Sequence, residues 1–444
     1  MLIAKILATS VVFAGVANGA DAPNPPPPAN APAEDEDDDA PPSVDVDAVY
    51  DIDTIGADGL ERTKLETLVE LTPRPLPARL SGREIVEITR RIRNLELFDL
   101  VVVTVKGREL HVHVRRKVTI QPIFEFSTGK TLADTAITLG AVENDIDGHG
   151  SRLGGKVGYE ERTFRFALWL FQHPYRPKAW AHEYSVAFEG SAFRFEGAGE
   201  TSGWQRQRLG GETALLLPFT FGSRFRFELQ AALYRETFVR VEGAREPRTG
   251  VFVGPTSEIV FDAFSFHDLT PTGFRSHLEI KPGIFLGPAE ARHEARWLAL
   301  GAAKLASYTA FVAQGNARVV NGGNVNHSVL VGSQQGVRGL PDALYRARAA
   351  AWLNVELRQA IPLGKRWYVQ GVAFSDVAGF DPMSARGVAG NPTFAWSTGF
   401  GARLLPTALV DTLLRVDVAR LHYPTEIASW FVQVGISQYI GGGD

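Results

Sequence analysis

From residue 119 to about 440, apolar and polar positions take turns along the chain one residue at a time. Phe164, Phe166, Leu168 and Leu170 alternate with Thr163, Arg165, Ala167 and Trp169. Tyr184, Val186 and Phe188 alternate with Ser185, Ala187 and Glu189. Phe225, Phe227, Leu229, Ala231 and Leu233 alternate with Arg224, Arg226, Glu228, Gln230 and Ala232. The pattern returns at Leu353, Val355 and Leu357, and again at Val432, Val434 and Ile436. A period of two is that of a β-strand with one apolar and one polar face. At about 20 residues per strand plus connection, the segment holds roughly 16 strands, an even number within the range of transmembrane barrels. A soluble sandwich would also alternate, with its apolar face inward. The length of the segment without a helical stretch, and an export signal at the start of the chain, favour the barrel. Such a barrel must close, because no backbone edge can face lipid. Tight turns at Leu217-Pro218 and Ile361–Lys365 mark periplasmic ends, and the longer polar stretches Gly243–Gly250 and Asn316–Arg338 mark the cell-surface side.

Residues 47–118 follow other periods and predict one small α+β domain. Tyr50 to Ile55 reads as a strand ending at Gly56. Arg62 to Leu71 has helical spacing and is stopped by Pro73 and Pro75. A second helix begins after Ser81, a good N-cap, with Ile85, Ile88, Ile92 and Leu95 on one face. Strands at Leu100–Val105 and Glu109–Val114 flank a turn at Lys106-Gly107-Arg108. The expected fold class is thus an all-β transmembrane barrel of about 16 antiparallel strands, preceded by this domain.

Residues 1–20 read as a secretory signal, with Lys5, a short apolar core from Ile6 to Val16, and small residues at Ala17–Ala20. Residues 21–46 form a Pro/Ala linker with the acidic run Glu34–Asp39, which cannot bury a core. After the signal, no apolar run reaches the length of about 18 residues that a helical span needs. The chain has no cysteine, which excludes disulfides, thiol catalysis and thiolate metal sites. The net charge of −4 gives no argument for nucleic acid. Its 44 glycines and 27 phenylalanines suit many strands joined by turns. No repeat of fixed sequence points to a solenoid.

Four phrases carry the candidate chemistry. Gly336-Val337-Arg338-Gly339-Leu340 ends a long polar loop. Asn354-Val355-Glu356-Leu357-Arg358 follows on a strand whose parity puts Glu356 on the polar face. Ala373-Phe374-Ser375-Asp376-Val377-Ala378-Gly379 lies one strand later, and Leu139 to Gly150 precedes them near the start of the segment. Arginine offers five donors in a planar fork with a permanent charge, so Arg338 could bridge Glu356 and Asp376 by charge-assisted bonds. On the residues alone, a surface arginine in a mobile loop, with Glu356 solvated in the lumen, is the favoured reading.

In their order and distances these phrases resemble the barrel of the BamA-like outer-membrane assembly family. Val337-Arg338-Gly339-Leu340 is similar to that family's Val-Arg-Gly-aromatic loop motif, with Leu340 at the aromatic place. The strand–helix–helix–strand–strand order of 47–118, with Asn94–Val103, resembles a POTRA module. The resemblance implies a loop folded into the barrel and locked through Val337, Arg338, Gly339, Leu340, Glu356 and Asp376. It also implies a weak seam between a first strand near 121–128 or 135–142 and a last strand near 430–440.

The implied work is insertion of other outer-membrane proteins, or translocation of polypeptide. The implied partners are outer-membrane lipid, unfolded outer-membrane or secreted client chains, and periplasmic factors met by the POTRA-like domain. A two-partner-secretion-like pore and a passive porin or surface antigen are the rival readings. No nucleotide, metal or other cofactor is expected, and no enzyme activity. The ten histidines show no HExxH spacing, no lysine follows Gly148–Ser151 as in a phosphate loop, and no Gly-x-Ser-x-Gly elbow occurs. His111 and His113 read as a solvated or partner-facing pair rather than metal ligands.

Overall fold

The computed structural model describes residues 44–127, 136–160, 163–172, 181–197, 200–217, 225–242, 249–265, 271–288, 290–322, 327–332, 336–340, 345–364, 367–383, 391–406, 414–424 and 430–436. The signal at 1–20, most of the 21–46 linker, the stretch 243–248 and the C-terminal Tyr439–Asp444 lie outside the described residues.

The N-terminal unit runs β1 (Val49–Ile52), β2 (Thr54–Asp58), α1 (Leu65–Glu70), β3 (Ala78–Ser81), α2 (Gly82–Arg93), β4 (Phe98–Lys106) and β5 (Glu109–Arg116). β2 lies parallel to β5, and β4 pairs antiparallel on its other side; β1 and β3 make a separate two-stranded sheet. Ile52, Leu68, Leu80, Ile85, Ile88, Ile92, Val103, Leu110 and Val112 form one core. α2 starts at a capping box, Ser81 and Glu84 each satisfying the other's backbone N–H. The single strand expected over Tyr50–Ile55 is two, broken at Asp53. Ile52 and Ile55 are both buried yet three residues apart, which one alternating strand cannot achieve. The first helix is shorter than Arg62–Leu71 because Arg62, Thr63 and Lys64 bond to the barrel instead of starting a helix.

The barrel strands are β6 (Ile120–Ser127), β7 (Ala136–Glu143), β8 (Arg152–Glu160), β9 (Thr163–Phe171), β10 (Ala181–Gly197), β11 (Glu200–Leu216), β12 (Phe225–Glu242), β13 (Gly250–Asp262), β14 (Gly273–Leu286), β15 (Glu290–Ala306), β16 (Thr309–Gly322), β17 (Val329–Val331), β18 (Tyr345–Pro362), β19 (Trp367–Pro382), β20 (Thr393–Pro406), β21 (Leu414–Tyr423) and β22 (Trp430–Ile436). They pair in chain order and close, β22 returning to β6. β17 continues the β16 position beside the far end of β18, so the wall among the described residues has 16 full strands. Leu168, Leu233, Leu357, Phe400 and Val432 are exposed on the outside, while Glu228, Glu236, Glu294, Glu356 and Arg403 are buried inside. Apolar residues outward and charges inward invert a soluble protein, and this decides barrel against sandwich.

The stretch expected as loop over Asn316–Arg338 is strand as far as Gly322, where β16 still pairs with β15. Among the described residues the barrel closes through Val434 paired with Phe126 and Gly435 paired with Glu125.

The N-terminal unit sits at the barrel end that carries the β7–β8 and β13–β14 turns. Asp145, wholly buried in the first turn, accepts from Thr63 Oγ1 at 2.7 Å and from Arg116 Nη2 at 3.2 Å. Lys64 N and Thr67 Oγ1 both donate to Gly148 O, each at 2.9 Å. Arg90 Nη1 and Asn94 Nδ2 each reach Phe264 O at 3.4 Å in the second turn. The loop between β16 and β18 therefore lies at the opposite end.

Candidate functional site

Alternation aims Asn354, Glu356 and Arg358 of β18 inward, and Phe374 and Asp376 of β19 beside them; all are buried. In register, Asn354 faces Asp376 and Glu356 faces Phe374. The two carboxylates are thus diagonal neighbours, a like-charge arrangement that needs a cation between them.

Arg338, on the loop from the far end, supplies it. Its Nη1 donates to Glu356 Oε1 at 2.6 Å, and its Nε and Nη2 donate to Asp376 Oδ2 and Oδ1 at 2.7 and 2.8 Å. The Arg338 backbone N–H adds a bond to Asp376 Oδ2 at 3.0 Å. The guanidinium carbon lies 3.5 Å above the centre of the Phe374 ring, a cation–π contact away from water. Arg338 is 1% exposed, so these charges meet in a dry site where pairing is essential.

The backbone of the loop is shaped for this approach. Gly336 has φ 144 and Gly339 φ 88, a region that side chains rarely adopt. A Cβ on Gly336 would stand 3.0 Å from Trp352, and the Asn354 side chain donates to Gly336 O at 2.6 Å. Val337 and Leu340 are fully buried against Val329, Val331, Trp352, Phe380 and Leu421. Leu340 thus fills the apolar wall beside the lock.

The structure brings Val337, Arg338, Gly339, Leu340, Glu356 and Asp376 into one site. It adds four residues that sequence reasoning did not place there. Arg358 donates to Glu356 Oε2 at 2.7 Å and Arg403 of β20 to Glu356 Oε1 at 3.1 Å. Asp417 of β21 lies 3.6 Å from Arg338, from Arg403 and from Arg415. Four arginines (338, 358, 403, 415) meet three carboxylates (356, 376, 417), leaving one positive charge by subtraction. A signal for them was present: Gly399 and Gly401 share the inward face of β20 with Arg403. An added Cβ at Gly399 would overlap the Phe374 ring, and one at Gly401 the Asp417 carboxylate.

Outside the barrel, His113 bonds Asp58 at 3.0 Å, and that hydrogen bond above all holds the Asp58 carboxyl below its ordinary value. His111 lies 3.3 Å from Glu109. Among the described residues no group of three or more His, Asp or Glu is arranged to hold a metal.

No family model and no curated protein sequence matches the chain. Solved structures do. CdiB from Escherichia coli superposes with a TM-score of 0.64 at 12% identity, covering 87% of this chain and 76% of that one. CdiB from Acinetobacter baumannii gives 0.57 at 10% identity, over 87% and 74%. BamA from Haemophilus ducreyi lacking POTRA domains 1-3 gives 0.52 at 12% identity, over 87% and 84%. The fold is that of BamA and CdiB. Within this BamA/CdiB fold, the lock is built where β18–β21 present their polar faces to a loop from the opposite end of the barrel.

Proposed function

We propose that the chain is an outer-membrane barrel that handles unfolded polypeptide, assisting the insertion of other outer-membrane proteins or moving a chain across the membrane. The observation that carries this reading is the arginine-locked loop inside the lumen. A diffusion pore needs no such lock. In this reading the N-terminal unit is the POTRA-like periplasmic domain. β4, at the edge of its sheet, takes an extended client segment by strand addition. The β6–β22 closure then offers the client a template at the membrane. Client folding supplies the free energy.

A second reading, a two-partner-secretion-like pore for one dedicated passenger, is favoured by the better superposition on the CdiB barrels, 0.64 and 0.57 against 0.52. Here the loop leaves the lumen and the seam stays shut.

A seam crosslink separates the two. The chain has no native cysteine, so Glu125→Cys with Gly435→Cys, at paired positions, forms one defined bridge. With the protein in liposomes, oxidation abolishes insertion of an unfolded client barrel if the seam works, and reduction restores it. Passage of a chain that survives oxidation selects the pore. A large steady current through the unmodified protein in planar bilayers, unchanged by Arg338→Ala, would overturn both readings for a passive porin.

A further inference from the structure

A second built site faces the lumen near the outer mouth, away from the Arg338 lock. Its floor comes from β11–β16. Tyr234 stacks on Phe252 at 4.7 Å, and Phe252 leans on Phe285 at 5.1 Å. Gly254 and Gly283 flank the Phe252 ring, where a side chain would collide with it. Arg292 donates to Tyr234 OH at 2.8 Å and pairs with Glu294 at 2.6 Å, and Arg318 pairs with the same carboxylate at 2.5 Å. Arg208 caps the outer face of Tyr234 at 3.6 Å. Every one of these groups belongs to the wall, so the shelf does not depend on the loop for its shape.

One loop side chain sits on it. His327, 3% exposed, lies just before β17. Its Nε2 is 2.7 Å from Glu236 Oε2, and its ring stacks on Phe285 at 4.3 Å and 20°. Glu236 is itself 1% exposed and has Arg206 3.7 Å from its other oxygen. Two residues beyond His327 the loop pairs with β18, Val329 facing Ala347. The limb 327–331 therefore ties the β12–β14 wall to β18, while Arg338 holds the loop's tip on β18–β21.

We propose that His327 is a second latch of the loop, a positioning residue seated by its imidazole ring between the Glu236 carboxylate and the Phe285 face. The limb stays across the mouth when the Arg338 lock is broken, and the loop is released only when both anchors fail. This rests on the reading of the loop as a plug. The seat recognises an imidazole: a flat ring for Phe285 and one polar ring nitrogen for the carboxylate.

The test is planar-bilayer conductance of the full chain as Arg338→Ala, His327→Gly and the double variant, each checked for a folded barrel by heat-shifted migration in gels. Each single variant is expected to raise the current modestly. The double is expected to exceed either single roughly tenfold, the non-additivity of two anchors on one element. In the Arg338→Ala background, Glu236→Ala should raise the current as His327→Gly does, and the two together should add nothing further, because both remove the same contact. Full opening by Arg338→Ala alone overturns the second latch and leaves the plug intact. No rise in any variant overturns the plug itself. A large double-variant current with Glu236→Ala silent in the Arg338→Ala background would show that His327 only fills space, which also overturns the proposal.

Discussion

Two stretches of the same wall are built in opposite ways. β18–β21 run 18, 16, 14 and 10 residues and carry the buried charges of the lock. β22 and β6 run 7 and 8 residues and, among the described residues, meet at Val434–Phe126 and Gly435–Glu125. Both are antiparallel sheet with an apolar outer face, so backbone pairing alone does not set their strength. On the lock side, loop, strands and counter-charges hold one another, and removing any one strands a buried charge. At the closure the described residues pair by ladder bonds, each contributing about 1 kcal/mol in water and several in lipid.

The largest expected gap is in amide exchange. With the protein in micelles, amides of β6 and β22 should exchange about a thousandfold faster than those of the β18–β19 pair, the ratio for some 4 kcal/mol of local opening. Equal protection would erase the contrast. Next, Arg338→Ala leaves Glu356 and Asp376 without their shared cation. It should remove about 3–5 kcal/mol from the barrel, read as earlier loss of the heat-resistant folded form in gels. Gly401→Val, which drives a side chain into the Asp417 carboxylate, should cost about 1–3 kcal/mol by overpacking. It should leave β6–β22 exchange unchanged if the two stretches are independent.

An effect of the same size lies in the N-terminal unit. Burial works to raise the Glu87 carboxyl, but bonds and charge from Arg90 and Arg91 outweigh it and hold the group below its ordinary value. Its contribution is therefore complete above the unfolded value of about 4.3 and is lost as pH falls through the lowered one. Glu87→Gln should cost about 1–3 kcal/mol at neutral pH, because Arg91 is buried. It should also flatten the acid limb of the unit's stability, followed by the near-ultraviolet signal. An unchanged acid limb would show that other carboxyls carry it.

Much of this was readable in the residues, for a physical reason. A lipid-facing wall forces strict parity, so Leu168, Leu233 and Leu357 announced the outside and Glu356 the inside. The same wetness misled at Asn316 and Arg318, which point into the lumen and read as loop because a polar face inside a barrel looks like solvent. His327 was illegible in another way. Its partner Glu236 lies 91 residues away in the chain, and only the fold brings them together. Arg403 and Asp417 were marked only by Gly399 and Gly401 on the inward face of β20. The break at Asp53 was written in the three-residue step from Ile52 to Ile55, a conflict with parity that a single strand cannot carry.

The two places where the N-terminal unit stands on the barrel have a mechanical consequence. One footing, through Thr63, Thr67 and Arg116 on the Asp145 turn, joins the hairpin whose first strand borders β6. The other, through Arg90 and Asn94 on Phe264, rests on β13–β14 in the middle of the tall wall. A pull on the unit by a bound chain is thus a torque about a fixed heel. The toe bears one strand from the β6–β22 closure.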